Sequence, residues 1–501
     1  MKLVTKITIL LIAGTMVSSC ADFLDEVKPE TSQNVESLRT SATDLDVCIN
    51  GAYGALWSPA GMGTFQTVSE YNSDLYYAYP KNKSKWITNR DGDAYRRYYA
   101  GRDYNNQAYV WQWGNLAINM ANTVVESIDK GMADNDPNIE THRDRLKGEG
   151  LLVRAIAYWN ITLLSGQQYH ETTLNTEAAV YRDWPIISPS DIDAPLRTVG
   201  EMYNFIVEDL KNAVQLLPEN YDENIHPIAY LPRMRKDAAK GYLAKVYFQM
   251  NKQDEALALC NEILGPVSES GSVNYPLNDN FNDIYQRVGN YDYSPNKGLE
   301  IIYAAEGSSA QKWTQANKWG FYRDTRPSGS STRKYLAMGQ PFKDLWDQAN
   351  DRRFKEMIEI DAEGYWWQKK FSVEKINVPI LRASEFHLMR AEINARKDYL
   401  SQALIDLNVV RTRAGLEPFQ STNKDAIIQE IIDERTREMF CEWNRFWDLK
   451  RLGALTGSKI PLGQRDGEDK VYVGGVDELP WDSYLLKYDI PSNEYQYNPG
   501  L

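Results

Sequence analysis

Histidine and cysteine are scarce in this 501-residue chain, which holds four of each. His142, His170, His226 and His387 stand far apart, and no His-Glu-x-x-His, Gly-x-Ser-x-Gly or phosphate-loop spacing occurs. Those absences remove the common zinc-peptidase, serine-hydrolase and nucleotide signatures, and no catalytic residue is assigned. The cysteines Cys20, Cys48, Cys260 and Cys441 lack Cys-x-x-Cys spacing, so neither a disulfide framework nor a zinc site is expected. Positive charge is short as well: 56 Lys and Arg face 69 Asp and Glu, a net charge of −13, which argues against nucleic acid as a partner. No cofactor or metal is implied. Asp91-Gly-Asp93 has the start of a calcium-loop spacing without the remaining ligands. Carboxylates are plentiful, so counting alone leaves a glycosidase pair open.

What is present begins with the N-terminus. Lys2 and Lys6 precede a largely apolar run from Ile7 to Val17, too short to cross a membrane, and small residues follow it. Val17-Ser18-Ser19-Cys20 resembles a bacterial lipobox, which implies that Cys20 becomes a lipidated N-terminus. Each buried methylene of an acyl chain contributes about 0.8 kcal/mol, so a multiply acylated cysteine anchors durably. Residues 1–19 are thus expected as a signal peptide and 20–34, polar and containing Pro29, as a tether. Cys48, Cys260 and Cys441 are then an odd set of small core residues.

Apolar periodicity predicts helices at 35–57, 143–165, 199–217, 234–250, 253–264, 380–397, 399–414 and 424–452. Two helix pairs repeat at an offset of 147 positions, setting Ala244 over Ala391, Ala256 over Ala403, Cys260 over Leu407 and Ile263 over Val410. Each reads as helix, short turn and helix, which resembles a tetratricopeptide unit. A third first-helix aligns at an offset of 89, with Ala155 over Ala244 and Tyr158 over Tyr247, but its second helix is not adjacent in sequence. Long segments at 58–113, 166–197, 265–335 and 455–500 are expected to be non-helical insertions. The fold class is mostly α: a helical repeat scaffold with loop-rich insertions and little β.

Fourteen of the chain's 59 aromatic residues fall between Trp57 and Trp113, more than one core can hold. Sugar rings offer apolar C–H faces that stack on indole and phenol planes, and exposed apolar loops mark binding. Trp86 and Asn89, with Tyr76, Tyr77 and Asp74 nearby, form one candidate ligand group; Trp313, Trp319, Tyr322 and Arg323 form a second. Tyr365-Trp366-Trp367 is assigned to packing, and His387 to the core.

Glu434 to Arg451 crowds alternating charge beside Met439, Trp443, Phe446 and Trp447. On one continuous helix Arg435, Glu438, Glu442, Arg445 and Asp448 would form a ladder that locks the last helix to the repeats. The order Glu-Arg-x-x-Glu, then Arg-Phe-Trp-Asp-Leu-Lys-Arg, resembles the C-terminal signature of the SusD/RagB family of outer-membrane nutrient-binding lipoproteins. Lys147-Gly-Glu-Gly-Leu-Leu-Val-Arg-Ala-Ile-Ala-Tyr-Trp, Arg382-Ala-Ser-Glu-Phe-His-Leu-Met-Arg-Ala-Glu and Ile490-Pro-Ser-Asn-Glu extend the likeness along the chain. The ending is shortened, with one asparagine-proline element at Asn498-Pro499 where the family usually has two.

The resemblance implies that residues 35–501 form one domain of that family. It also implies a lipid-anchored, non-catalytic protein on the cell-surface face of a Gram-negative outer membrane. The expected partners are an oligosaccharide or other nutrient and a SusC-like TonB-dependent barrel, with the membrane reached through the lipid. Three rivals stay open: a helical-toroid glycoside hydrolase, a binder of a non-carbohydrate nutrient such as peptides, and a peptide-binding tetratricopeptide scaffold.

Overall fold

Asn251 and Asp398, 147 positions apart, both adopt the left-handed backbone, with φ of 58° and 65°. Each closes the first helix of a repeat unit in the same way. The N–H of Lys252 donates to the Tyr247 carbonyl and that of Tyr399 to the Asn394 carbonyl, both at 2.8 Å. Asn251 and Asp398 themselves donate to Phe248 and Ala395. This double bond satisfies carbonyls that a helix end leaves orphaned, and Asn and Asp are the non-glycine residues that tolerate the conformation best.

The computed structural model describes residues 38–58, 61–78, 105–222, 225, 233–285, 298–305, 336–370, 378–462 and 477–501. Its main helices are α1 (Ala42–Leu56), α2 (Met62–Tyr71), α3 (Asn105–Asp129), α4 (Ile139–Ser165), α5 (Val199–Leu216) and α6 (Lys236–Gln249). They continue as α7 (Gln253–Leu264), α8 (Ala383–Arg396), α9 (Leu400–Arg413), α10 (Lys424–Met439) and α11 (Arg445–Thr456). Local chemistry starts several of them. The Ser41 side chain accepts from Asp44 N–H, Asn423 from Ala426 N–H, and Thr198 forms a reciprocal capping box with Glu201.

From α3 to α10 each helix packs on the next in the chain. The pairs α6/α7 and α8/α9 are the two units read from the repeat. The missing partner of α4 is α5, which follows it in space across the 166–197 segment. Ala155, Ala244 and Ala391 are fully buried, as are Ala256, Ala403, Cys260, Leu407, Ile263 and Val410. A methyl in place of the hydrogen at Gly150 would lie 2.9 Å from a Val125 methyl, so glycine there lets α3 and α4 approach. Cys48, Cys260 and Cys441 are free and buried.

Strand is sparse and arranged in two-stranded antiparallel ladders among the described residues. β1 (Tyr76–Ala78) pairs with β5 (Leu336–Met338), β2 (Glu177–Val180) with β3 (Leu196–Thr198), and β4 (Ile301–Ala305) with β8 (Val378–Arg382). β6 (Ile358–Ile360) pairs with β7 (Trp366–Gln368), and Ile460–Pro461 with Glu478–Leu479.

Three expectations change, the smallest being that 455–500 holds a short helix at Ser492–Tyr497. The segment 58–113 is not wholly non-helical, since α2 lies within it and α3 starts at Asn105. Val110, Ala117, Ile118, Ala121, Val124, Val125 and Ile128 give α3 a buried stripe at helical spacing; the density of rings and asparagines at its start masked that period. The continuous helix expected at 424–452 is broken after Met439. Cys441 and Trp443 take positive φ, 62° and 53°, before α11 begins at Arg445.

Candidate functional site

The β1–β5 ladder pairs the residue that precedes one ring-bearing insertion, Ala78, with the residue that follows the other, Leu336. Tyr76 stands opposite Met338 and Ala78 opposite Leu336, and Gly339 N–H donates to the Leu75 carbonyl at 2.7 Å. The chain leaves β1 into residues 79–104 and enters β5 from residues 306–335. Trp86, Asn89, Trp313, Trp319, Tyr322 and Arg323 lie in those two segments, outside the described residues. Sequence reasoning missed this ladder because three-residue strands carry almost no periodic signal.

Tyr76 and Asp74 are described, and both are buried, at 4% and 5% exposure. The Asp74 carboxylate is gripped by Arg445, and the Tyr76 hydroxyl lies 3.1 Å from Cys441 Sγ. The expectation that these two meet ligand gives way to a buried, supporting place just before the first insertion in the chain. Tyr77, half-buried, packs against Ala337 and Trp367. Trp366 and Trp367 are buried, with Trp367 Nε1 donating to Asp361 at 2.9 Å, as the packing assignment required.

Beneath the ladder the break between α10 and α11 is held from both sides. Glu70 of α2 accepts the Trp443 N–H at 2.6 Å, and Lys370 Nζ donates to the carbonyls of Glu438 and Phe440 at 2.7 and 3.0 Å. A left-handed residue with a side chain costs roughly 1–2 kcal/mol, so these bonds maintain a conformation the backbone alone disfavours. Glu70 is fully enclosed, and its second oxygen has no partner among the described residues. Burial pushes its carboxyl up to about 8, and the Trp443 N–H and Lys370 ammonium oppose this only in part.

The charged residues of the 434–451 signature do not form a ladder along one helix. Within the expected set only Arg435 and Asp448 pair, at 2.8 Å, and they do so across the break. Glu438 instead receives Arg353 at 2.9 Å together with Arg382 and Arg413. Glu442 takes Arg382 at 2.7 Å and Lys370; Glu300 takes Arg382 at 2.9 Å and Arg413 at 3.0 Å. Glu434 bridges Arg353 and Arg437, and Asp351 completes the set on Arg353. Arg353, Lys370, Arg382, Arg413 and Arg437 thus balance Asp351, Glu300, Glu434, Glu438 and Glu442, all buried.

Burial would raise the Glu438 carboxyl, but the three guanidiniums hold it well below the usual range. Such a network is costly to desolvate and severe to break, about 3–5 kcal/mol when one partner is removed. It joins α10, β8, α9 and the start of the short Arg352–Met357 helix, so the expected role of locking the last helices to the array is realised by long-range pairs. Arg413, in the last turn of α9, points into this network, and Gly415 follows α9 with φ of 83°. His387 is a core residue: its Nδ1 lies 2.7 Å from Asp406, which also binds Arg390.

Among the described residues no group of three or more His, Cys, Asp or Glu is placed to hold a metal ion. No described helix is long and apolar enough to cross a membrane. What the geometry offers is a charge-locked base in which Ala78 and Leu336, the described ends next to the two aromatic insertions, are paired.

Comparison with known proteins covers nearly the whole of this architecture. Residues 22–248 match the family model described as "Starch-binding associating with outer membrane", and residues 268–501 match that of the SusD family. A SusD-like protein of Bacteroides ovatus is 23% identical over 63% of this chain, which spans about half, 53%, of that relative's length. SusD-like protein P2 of Formosa agariphila is 21% identical over 89% of this chain and 90% of its own. The crystal structure of a SusD-like carbohydrate binding protein from Bacteroides vulgatus superposes with a TM-score of 0.72 at 17% identity, covering 92% of this chain and 97% of the other. With its helical repeat array, its charge-locked C-terminal signature and these matches along both halves, the chain belongs to the SusD/RagB-like family.

Proposed function

We propose that this protein is a cell-surface lipoprotein that binds oligosaccharides and passes them, uncleaved, to a TonB-dependent outer-membrane transporter. The observation that carries the reading is the β1–β5 ladder, which roots the segments bearing Trp86 and Asn89, and Trp313, Trp319, Tyr322 and Arg323, side by side. Trp86 is eight residues beyond Ala78, so chain length alone keeps it within about 28 Å of the ladder. Rings from both insertions can therefore converge on one glycan, with amide and guanidinium groups bonding its hydroxyls.

The family descriptions of starch and carbohydrate binding support that ligand class, and outer-membrane association supports the location. Lipidation at Cys20 after removal of residues 1–19 supplies the anchor, and 20–34 the tether. The partner is a SusC-like barrel, over which the anchored protein acts as a hinged lid.

A glycan array probed with the soluble form lacking residues 1–20 tests the reading. Retention of an oligosaccharide without chain shortening is expected. Failure to retain any glycan overturns the ligand class. Shortening abolished by a single carboxylate substitution replaces the binder with a glycosidase. The partnership is tested by purifying the tagged full-length protein from solubilised membranes, where a large barrel should accompany it.

A further inference from the structure

A groove of about 460 Å³ opens on the helical scaffold where α4, α5 and the end of α3 meet, apart from the β1–β5 ladder. Its floor is electrically neutral. Arg154 holds Asp209 through Nε and Nη2, both at 2.7 Å, and Asn122 through Nη1 at 2.9 Å, while Lys147 pairs with Asp129 at the edge. Two carboxylates at the groove, Asp183 and Glu208, are exposed and have no ion-pair partner among the described residues.

Between floor and rim lies Tyr181. It is only 8% exposed, it lines the groove, and its hydroxyl has no hydrogen-bond partner among the described residues. The hydroxyl is not sealed away from the groove, so a bound molecule can reach it. Its ring stacks on Phe205 with centroids 4.0 Å apart and planes 9° apart, and Phe205 remains half-buried at the groove.

We infer that this groove is a second ligand site and that it takes a hydroxylated primary amine, the chemistry of an amino sugar. The volume lies within the range of small-molecule pockets, about 300–1,000 Å³. An ammonium group gains two unpaired carboxylates and an aromatic face, which attract cations in concert. Ligand hydroxyls complete the Tyr181 hydroxyl and reach the exposed amides of Asn212 and Gln215. A neutral sugar gains nothing from the two exposed carboxylates and an acidic one would be repelled, so the charge pattern sets the class.

The test is calorimetric titration of the soluble form lacking residues 1–20 with glucosamine, against N-acetylglucosamine as the neutral control. Saturable binding of glucosamine is expected, with the control weaker by about tenfold or more. Paired substitution Asp183→Asn and Glu208→Gln, both at exposed positions, should weaken glucosamine by about tenfold or more, and Tyr181→Phe by a few-fold. Trp86→Ala and Trp313→Ala should leave it unchanged, which separates this site from the glycan loops. The inference is overturned by absence of saturable binding up to about 20 mM. It is equally overturned by equal binding of the neutral control, by indifference to the paired substitution, or by capture of a lysine-bearing peptide in place of glucosamine.

Discussion

Arg445 grips Asp74 through two parallel hydrogen bonds, Nε to Oδ1 at 2.7 Å and Nη2 to Oδ2 at 2.6 Å. The pair joins the start of α11 to the residue two positions before β1, so the last signature helix braces the root of the first insertion. Asp74→Asn should leave a largely enclosed guanidinium without its counter-charge and cost about 3 kcal/mol, read by chemical denaturation. Glycan affinity should fall with it, because the ladder that aligns the insertions loosens. A variant as stable as the parent would remove this brace from the account.

Glu70 gives the protein an alkaline-side sensitivity. Burial pushes its folded carboxyl up to about 8 from the ordinary glutamate value of 4.5, so the folded state holds an extra proton between them. Stability from this group is complete below about 4.5 and declines as pH rises from there to about 8, at roughly 1.4 kcal/mol per pH unit. Glu70→Gln keeps an acceptor for the Trp443 N–H and should flatten the decline between pH 5 and 8. Parallel stability-versus-pH curves for parent and variant would contradict the assignment.

Glu392 acts in the opposite direction. Burial would raise it, but Arg451, at 2.8 and 2.9 Å, and Arg396, at 2.8 Å, hold its carboxyl down at about 2. Its contribution is therefore present above about 4.5 and disappears as pH falls towards 2, about 3 kcal/mol in all. Glu392→Gln should be less stable than the parent at pH 7 by that order, and the gap should close by about pH 2. Thermal melts across that range would measure it.

The paired turns offer a backbone test. Glycine at Asn251 or Asp398 relieves the left-handed cost and should stabilise by up to about 1 kcal/mol, whereas valine should destabilise by about 1–2 kcal/mol. Since both turns share one bond pattern, the two sites should respond alike and additively in denaturation midpoints.

Replacing Trp86, Trp313 and Trp319 singly by alanine should weaken glycan binding by about 1–2 kcal/mol each while far-ultraviolet circular dichroism stays unchanged. Unaltered affinity in all three would move the ligand site elsewhere.

Much of the scaffold was legible because repeat units announce themselves twice. The 147-residue offset placed Ala244 over Ala391 and Cys260 over Leu407, and all four are buried where helices meet. What escaped reading had weak or misleading local signals. In α3 a cluster of rings and asparagines concealed an ordinary apolar stripe, and in β5 three residues carried no detectable alternation. The 434–451 segment misled for a different reason: side-chain spacing assumes a continuous helix, and the break at Cys441 and Trp443 is imposed by Glu70 and Lys370, remote in sequence.

The sequence by itself determined the helical array, its units and its family, because periodicity, small residues at close approaches and turn chemistry are local properties repeated along the chain. Only the tertiary structure decided which charges meet. Glu438 has three arginine partners, Arg353, Arg382 and Arg413, drawn from three different segments. In a low-dielectric interior a carboxylate is stabilised by whichever cations the fold delivers to it, and that delivery depends on packing between segments that no sequence window contains.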